Sequence, residues 1–311
     1  MTYFGGKSKI AQIIWDLLGN PAHYLESFAG SCAVLLGRPG WDKLPINFAE
    51  TINDKDCTIA NVWRALKYDP DGTADYADDI VCHVDLIAKK KYINNNYYSL
   101  AEKMKLDSEY FDIKIAGYYI WAASCWIGAG LVRPTQIPHL GQNGKGINAQ
   151  IPHLTSNGMG INAQRENLNS WFENLSKRLR KVRIVNGDYK QILGGDWQGH
   201  SWNTVGIYFD PPYSDKANRG KKIYTEDSLD IAHEVREYCI KYAKKGFRIV
   251  LSGYFDEHQE LLENGFKILQ WSTQGGYGNT SQDKDVLSAG QKNRKLEFLF
   301  HVNCINESLF K

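Results

Sequence analysis

Long apolar runs are missing from this chain of 311 residues, although 43% of those residues are hydrophobic. No apolar stretch reaches the roughly 18 residues that a membrane-spanning helix needs, so no membrane association is predicted. The segment from Met1 to Lys7 also lacks the apolar core of a signal peptide. We therefore expect a cytoplasmic protein that can bury a sizeable core.

Cysteine pairs with metal-ligand spacing are also missing. The six cysteines are scattered along the chain, without a CxxC pair or a cluster of cysteines and histidines. The simplest interpretation is a set of reduced thiols, with no structural zinc and no other metal.

Neither sign of charge dominates, because the formal net charge is only +2. The distribution is uneven: residues 165–222 hold eleven Lys or Arg against six Asp or Glu, whereas residues 69–88 contain six Asp and no Lys or Arg. Such asymmetry indicates one face that meets a polyanion and another that does not. A solvated helix face would explain the same pattern equally well.

The order of predicted elements is typical of an α/β domain. Helical spacing of apolar residues predicts a helix over residues 8–18, and Asn53 and Asp54 are expected to cap a later helix. Strands are predicted at Tyr24–Glu26, Ile46–Thr51, Val182–Val185, Val205–Phe209, Arg248–Leu251, Phe266–Gln270 and Glu297–Phe300. Strands that alternate with helices predict a doubly wound, largely parallel sheet.

Candidate ligand-binding residues fall at the predicted carboxyl ends of these strands. They are the turn Phe28–Gly30, Glu50, Asp188 and Asp210. Ligands of open α/β sheets bind outside the carboxyl ends of the strands, so we expect these residues to contribute to one site.

The α/β pattern is interrupted between residues 69 and 164. This stretch contains a 14-residue tandem repeat, residues 137–150 and 151–164, in which eleven positions are identical. Its glycines and amides suit exposed loops whose side chains bond to base edges. The amides singled out for this role are Asn148, Gln150, Asn162 and Gln164. A duplicated surface loop without function is an equally good interpretation.

Asp210, Pro211, Pro212 and Tyr213 directly follow one of the predicted strands. Each proline removes a backbone donor and fixes φ, so the strand ends in a stiff loop with free carbonyl groups. A carboxylate and carbonyl groups can accept from the exocyclic amino group of a nucleobase, and an aromatic ring can stack on the base. A proline-rich turn without a binding role is the plainer alternative.

Four motifs occur in one order along the chain. They are Tyr3-Phe4-Gly5-Gly6-Lys7, Tyr24-Leu25-Glu26-Ser27-Phe28-Ala29-Gly30-Ser31, Asn186-Gly187-Asp188-Tyr189 and Asp210-Pro211-Pro212-Tyr213. Together they resemble the Dam-type (D12 class) DNA adenine-N6 methyltransferases, especially divergent members from phages and prophages. The resemblance spans nearly the whole chain. It implies a Rossmann-like methyltransferase sheet in residues 1–68 and 165–311, with residues 69–164 inserted as a target-recognition region.

The resemblance also implies a site for the cofactor S-adenosylmethionine (SAM). Phe28, Ala29 and Gly30 would form the wall on which SAM lies. Tyr3 and Lys7 would close the site from the N-terminal side, with Lys7 near the carboxylate of the methionine moiety.

Further cofactor contacts are implied for residues after later strands. Glu50 would offer a carboxylate to the ribose hydroxyls, Asp188 would accept from the cofactor adenine amine, and Tyr189 would pack against that ring. Asp210, which also approaches the cofactor, would hold the target adenine together with Tyr213.

The sequence departs from the family pattern at two places. Cys32 stands where many relatives have a second glycine, so the backbone there cannot approach a ligand as closely. The acid of the second motif is offset: relatives place it two residues before an Asn, where this chain has Thr51, and Glu50 lies one residue earlier.

The implied chemistry needs neither a protein nucleophile nor a metal. Acceptors at Asp210 and Pro211 would draw the hydrogens of the adenine amine and aim the nitrogen lone pair at the methyl group of SAM. The target base lies inside double-stranded DNA, so it must be flipped out, and stacking on Tyr213 would offset part of the cost. Lys221 and Lys222 are expected to contact phosphates.

Other functions remain open at this point. A cytosine-N4 DNA methyltransferase uses the same amine chemistry, and an RNA adenine methyltransferase or a nicotinamide oxidoreductase would account for some of the motifs. A catalytically silent DNA-binding module, with its cofactor site disrupted at Cys32, belongs to a different class. We further expect a monomer or weak dimer in a bacterial or phage-infected cell, acting in restriction-modification or in protection of phage DNA.

Overall fold

The computed structural model of the protein describes residues 7–80, 82–125, 165–193, 204–212, 231–271 and 297–304. The helices in these segments are α1 (Ala11–Leu18), α2 (Ala33–Leu36), α3 (Cys57–Tyr68), α4 (Pro70–Ala77), α5 (His83–Leu106), α6 (Ile113–Cys125), α7 (Arg165–Leu179), α8 (Tyr189–Leu193), α9 (Ile231–Ala243) and α10 (Phe255–His258). The strands are β1 (His23–Glu26), β2 (Ala49–Asp54), β3 (Val182–Asn186), β4 (Val205–Phe209), β5 (Arg248–Tyr254), β6 (Lys267–Gln270) and β7 (Glu297–Val302). None of these helices is both long and apolar enough to cross a bilayer.

The strands form a seven-stranded sheet with the order β3-β2-β1-β4-β5-β7-β6. Strand β1 pairs in parallel with β2 and β4, and β4 pairs in parallel with β5. Strand β7 is antiparallel to both of its neighbours, β5 and β6. The prediction of an α/β fold with a largely parallel sheet is therefore confirmed.

Strand β2 begins later in the chain than the sequence predicts. It spans Ala49–Asp54 instead of Ile46–Thr51, and the side chain of Ile46 is 85% exposed. The backbone N–H of Phe48 donates to the carbonyl of Pro45 at 3.0 Å, which closes a turn where the strand was predicted to begin. The shift changes which acidic residue lies at the carboxyl end of the strand.

Helix α3 is capped by Asp56. The Asp56 carboxylate accepts a hydrogen bond from the backbone N–H of Thr58 at 2.8 Å, which satisfies one of the free donors of the first turn. Asn53 and Asp54 are the last two residues of β2, so the prediction that they cap this helix is wrong.

The described residues divide into two compact units, and the boundary falls within β2. The first unit runs from Asn53 to Asp188, and the second comprises Lys7–Ile52 and the described residues from Tyr189 onward. Within the first unit, α4 packs against α6 and α7, and α5 packs against α3 and α6. A shared apolar cluster in that unit contains Cys57, Ala60, Ile93, Leu100, Met104 and Ile115. The assignment of residues 69–164 as an inserted region stays a prediction.

A buried histidine packs against β5 in the second unit. His258 is fully buried, and a Cβ atom on Gly253 would lie only 2.3 Å from its imidazole ring. Neither ring nitrogen has a hydrogen-bond partner among the described residues. The pKa of His258 is lowered from 6.5 to about 3, mainly by burial and to a smaller extent by the charges of Arg236 and His233. His258 is therefore neutral in the folded protein near neutral pH.

We expect His258 to make the protein less stable in acid. The pKa of His258 is lower in the folded than in the unfolded state, so below about pH 6.5 the unfolded state binds a proton that the folded state does not. The protein therefore becomes less stable as the pH falls from about 6.5 towards about 3, and His258 has no such effect above pH 6.5. In that window the free energy of unfolding should fall by up to about 1.4 kcal/mol per pH unit. Urea unfolding at about pH 7.5 and about pH 5 should show a weaker pH dependence in the variant His258→Leu. Equal pH dependence in the two proteins would contradict the expectation.

Candidate active site

The carboxyl ends of β1 and β4 lie side by side in the second unit. The register pairs Glu26 with Tyr208, so the residues that follow the two strands emerge at the same edge of the sheet. The backbone N–H of Ser27 donates to the carbonyl of Tyr208 at 3.4 Å. This edge is where open α/β sheets bind ligands.

The turn after β1 contains two residues in the left-handed backbone region. Gly30 has a φ of 46° and Cys32 a φ of 50°, and this region favours glycine. Cys32 is fully buried, and its backbone N–H donates to the carbonyl of Ala29 at 2.7 Å. The turn therefore takes up a conformation suited to a second glycine, although this chain has a cysteine there.

The carboxylate of Glu26 fixes this turn to the helix that follows it. Oε2 of Glu26 accepts hydrogen bonds from the hydroxyl of Tyr24 at 3.0 Å and from the backbone N–H of Leu35 at 2.9 Å. Leu35 lies in α2, whose N-cap residue, Cys32, makes no side-chain cap bond. The buried carboxylate thus ties the end of β1 to the first turn of α2, with Phe28–Gly30 between them.

Two of the residues predicted to bind the cofactor are in contact. The ring centroids of Phe28 and Tyr189 lie 5.1 Å apart, with an angle of 34° between the ring planes. Phe28 is half-buried, whereas Tyr189 is only 3% exposed. Phe28 is therefore the more accessible of the two rings.

Asp210 follows β4 and forms an ion pair with Lys7. Nζ of Lys7 lies 3.0 Å from Oδ1 of Asp210, and both side chains are largely removed from solvent. The same ammonium group lies 5.7 Å from the centroid of the Trp271 ring. The structure therefore places Lys7, predicted to lie near the cofactor carboxylate, against the predicted catalytic residue.

Burial and ion pairing act in opposite directions on the pKa values of this pair. Burial raises the pKa of Asp210, and the charge and hydrogen bond of Lys7 oppose that rise. Burial alone would lower the pKa of Lys7, but Coulombic attraction to Asp210 and Glu297 and the hydrogen bond to Asp210 raise it overall. Lys7 therefore stays protonated beside the carboxylate near neutral pH.

The backbone at Asp210 is constrained on both sides. The hydroxyl groups of Tyr208 and Ser252 lie 2.8 Å apart and join β4 to β5 just before the site. After it, Pro211 is buried and Pro212 half-buried. Two consecutive fixed φ angles leave the chain little freedom where it departs from the sheet.

Glu50 lies near the amino end of β2, opposite Tyr24 of β1, so its predicted place at a carboxyl end is wrong. The residue is buried, and its Oε1 lies 3.1 Å from Nη1 of Arg38. Nη2 of Arg38 donates to Oδ1 of Asn20 at 2.5 Å and to the carbonyl of Pro21 at 2.8 Å. This buried network gives Glu50 a partner inside the protein, which argues against its predicted contact with a ribose.

Asp54 is the acidic residue that the structure places at the carboxyl end of β2. In the first unit, its carbonyl accepts hydrogen bonds from the backbone N–H of Gly187 at 3.3 Å and from the side-chain amide of Asn186 at 2.9 Å. Asp188 directly follows Gly187, so Asp54 and Asp188 both lie at the carboxyl ends of neighbouring strands. Asp54 is not among the predicted site residues, because the strand was predicted to end at Thr51.

Eight of the predicted site residues lie outside the described residues: Tyr3, Asn148, Gln150, Asn162, Gln164, Tyr213, Lys221 and Lys222. Within the segments that the structure describes, there is no group of three or more His, Cys, Asp or Glu that could hold a metal ion.

The protein has an α/β fold, and the turns that follow its parallel strands lie where ligands bind in proteins of this class. The family model of the D12 class N6 adenine-specific DNA methyltransferases matches residues 3–275, and the chain belongs to that family. The resemblance seen in the motifs is thereby confirmed: the protein is an adenine-specific DNA methyltransferase of a SAM-dependent class. The comparison with individual curated proteins found no match.

Proposed function

We propose that the protein transfers a methyl group from SAM to adenine N6 at specific sites in double-stranded DNA. The observation that carries this proposal is the carboxylate of Asp210, which follows a buried parallel strand, is paired with Lys7 and precedes two prolines. Membership in the D12 class supports adenine as the target base.

The geometry at Asp210 suits activation of an amine. Adenine N6 is a poor nucleophile because its lone pair is delocalised into the ring. The carboxylate has acceptor positions beyond the one that Lys7 uses, and the carbonyl of Pro211 adds another. These acceptors draw the N–H hydrogens and orient the nitrogen, so that catalysis comes from positioning and charge placement. When bound, SAM supplies the electrophilic methyl group.

The target base must leave the duplex to reach Asp210. Extrusion requires a few kcal/mol of unpairing and unstacking. We assign the ring of Tyr213 to stack on the extruded base, a contact worth about 1–3 kcal/mol in other single-strand complexes.

The turn Phe28–Gly30 fits a SAM site. It combines an accessible aromatic ring with a left-handed glycine at the end of β1, where a ligand can approach the backbone closely. Asp188 is assigned to the adenine amine of the cofactor, and Tyr3 to the N-terminal side of the site. Cys32 adopts the left-handed backbone conformation that a glycine would favour at this position. This supports an intact turn, whereas a silent DNA-binding module would be expected to have a disrupted one.

Asp54, rather than Glu50, is the acid that we assign to the ribose hydroxyls, because it lies at the carboxyl end of its strand. Asp54→Asn should weaken SAM binding about tenfold, since a charged acceptor is replaced by a neutral one. Glu50→Gln should lower stability through the ion pair with Arg38 but leave SAM affinity nearly unchanged. Calorimetric titration with SAM compares the two variants. Normal affinity in Asp54→Asn, with weakened affinity in folded Glu50→Gln, would reverse the assignment.

Sequence recognition is assigned to residues 69–164, at the place where the family carries its target-recognition region. In this proposal the amides of the tandem repeat, Asn148, Gln150, Asn162 and Gln164, bond to base edges. Lys221 and Lys222 contact phosphates and thereby fix the register without reading bases.

A transfer assay with labelled SAM tests the proposed function. Duplex DNA should become labelled, RNA of the same sequence should not, and hydrolysis should release N6-methyladenine. Release of N4-methylcytosine alone, or labelling of RNA alone, would overturn the assigned substrate. A protein that binds DNA but not SAM would instead be a silent DNA-binding module.

A further inference from the structure

Tyr189 is enclosed by other aromatic rings in the second unit. The Phe28 ring lies against it at 5.1 Å, and the ring of Tyr238 meets it nearly edge-on at 5.7 Å. A planar base between two rings needs two van der Waals spacings, about 7 Å in all. The gap between Phe28 and Tyr189 is too small for that, and Tyr189 is only 3% exposed, so of these two rings Phe28 is the one that a cofactor adenine can contact.

Glu234, in the first turn of α9, holds the hydroxyl of Tyr189. The hydroxyl donates to Oε2 of Glu234 at 3.1 Å, and Nζ of Lys190 lies 2.7 Å from the same oxygen. The hydrogen bonds from Lys190 and Tyr189 lower the pKa of Glu234, so this carboxylate is ionised near neutral pH. A charged acceptor makes a stronger hydrogen bond to a tyrosine than a neutral one does.

The helix that carries Glu234 is itself anchored by aromatic residues. The ring of Tyr238 stacks on Tyr242 at 6.1 Å, and Tyr242 stacks on Phe247 at 5.6 Å. The hydroxyl of Tyr242 donates to the carbonyl of Leu193, at the end of the same short helix that begins with Tyr189. Helices α8 and α9 are therefore joined at both ends of α8, and Glu234 provides the contact at the end that begins with Tyr189.

We propose that Glu234 is a positioning residue for SAM binding: it fixes the Tyr189 ring behind Phe28, and Tyr189 in turn holds Phe28 in the orientation that receives the cofactor adenine. Glu234 acts through Tyr189 and does not touch SAM. The inference rests on the proposed function, because it assigns Phe28 to the cofactor.

The chain offers matched variants for a test. Glu234→Ala removes the acceptor, Glu234→Gln keeps an oxygen that can accept from the Tyr189 hydroxyl, and Tyr189→Phe keeps the ring but removes the donor. Glu237→Ala is the control, because Glu237 is an exposed acid on the same helix.

SAM affinity is measured by calorimetric titration, and the KM for SAM and kcat are measured on duplex DNA. Glu234→Ala should raise the dissociation constant and KM for SAM about three- to tenfold, with kcat at saturating SAM and the KM for DNA unchanged. Glu234→Gln should recover most of the affinity, and Glu237→Ala should resemble the wild type.

The decisive comparison is the double variant Glu234→Ala with Tyr189→Phe. If Glu234 acts through the hydroxyl, the double variant should bind SAM no more weakly than either single variant. Additive losses, or equal SAM affinity in Glu234→Ala and Glu237→Ala, would overturn the inference. Failure of the wild type to bind SAM would be a separate outcome, which overturns the proposed function and this inference with it.

Discussion

Asp210→Ala is expected to lower the rate of methyl transfer by about two to three orders of magnitude, as loss of a catalytic hydrogen-bonding group does in other enzymes. The substitution removes the carboxylate that we propose as the acceptor for the target amine, and it leaves the turn Phe28–Gly30 intact. SAM affinity should therefore change by only a few-fold. Single-turnover rates on duplex DNA, with a parallel SAM titration, separate the two effects.

The same substitution leaves the buried Lys7 ammonium without its ion-pair partner, so reduced stability must be separated from lost catalysis. The double variant Lys7→Met with Asp210→Ala removes both charges and provides the control. It should melt at a higher temperature than Asp210→Ala and should still be inactive. Recovery of transfer in the double variant, or near-normal transfer in Asp210→Ala, would remove Asp210 from the catalytic role.

Arg38→Met is expected to lower the free energy of unfolding by about 3–5 kcal/mol, because one partner of a buried ion pair is lost. The guanidinium is fully buried, contacts Glu50, and lies 5.0 Å from the centroid of the Trp15 ring. Through its hydrogen bonds to Asn20 and Pro21 and its ion pair with Glu50, Arg38 connects the loop before β1 to strand β2. Urea unfolding at neutral pH measures the loss.

A second variant distinguishes an uncompensated charge from lost packing. Arg38→Met combined with Glu50→Leu replaces the pair by apolar side chains and should recover much of the stability, as in other proteins with buried ion pairs. If Arg38→Met lowered the free energy of unfolding by less than about 1 kcal/mol, the ion pair would contribute no more than an exposed one does. That result would refute the role of Arg38 in stabilising the fold.

Strand β4 could be predicted from sequence because its signal is purely local. Val205–Phe209 is an uninterrupted apolar segment before two prolines, and the structure has the strand with these same limits. The predicted start of strand β2 was too early, because the apolar residues Ile46 and Phe48 indicated a strand where Pro45 begins a turn. That error moved the expected acid from Asp54 to Glu50.

Contacts between residues far apart in the chain could not be predicted. Lys7 and Asp210 belong to separate motifs, and nothing in either motif shows that their side chains form an ion pair. Glu234 belongs to no motif, and only the fold brings it to the hydroxyl of Tyr189. The order of the motifs indicated the family and the edge of the sheet where we expect ligands to bind, whereas packing determined which partner each charged group has.

The most direct test is analysis of nucleosides from DNA of methylation-deficient bacterial cells that express the protein. We expect N6-methyladenine in cells with the wild type, confined to one recurring sequence when the DNA is sequenced for modified bases. Cells with Asp210→Ala at equal protein levels should contain little or none. Unmodified adenine in cells with folded wild-type protein, or N4-methylcytosine as the product, would contradict the account.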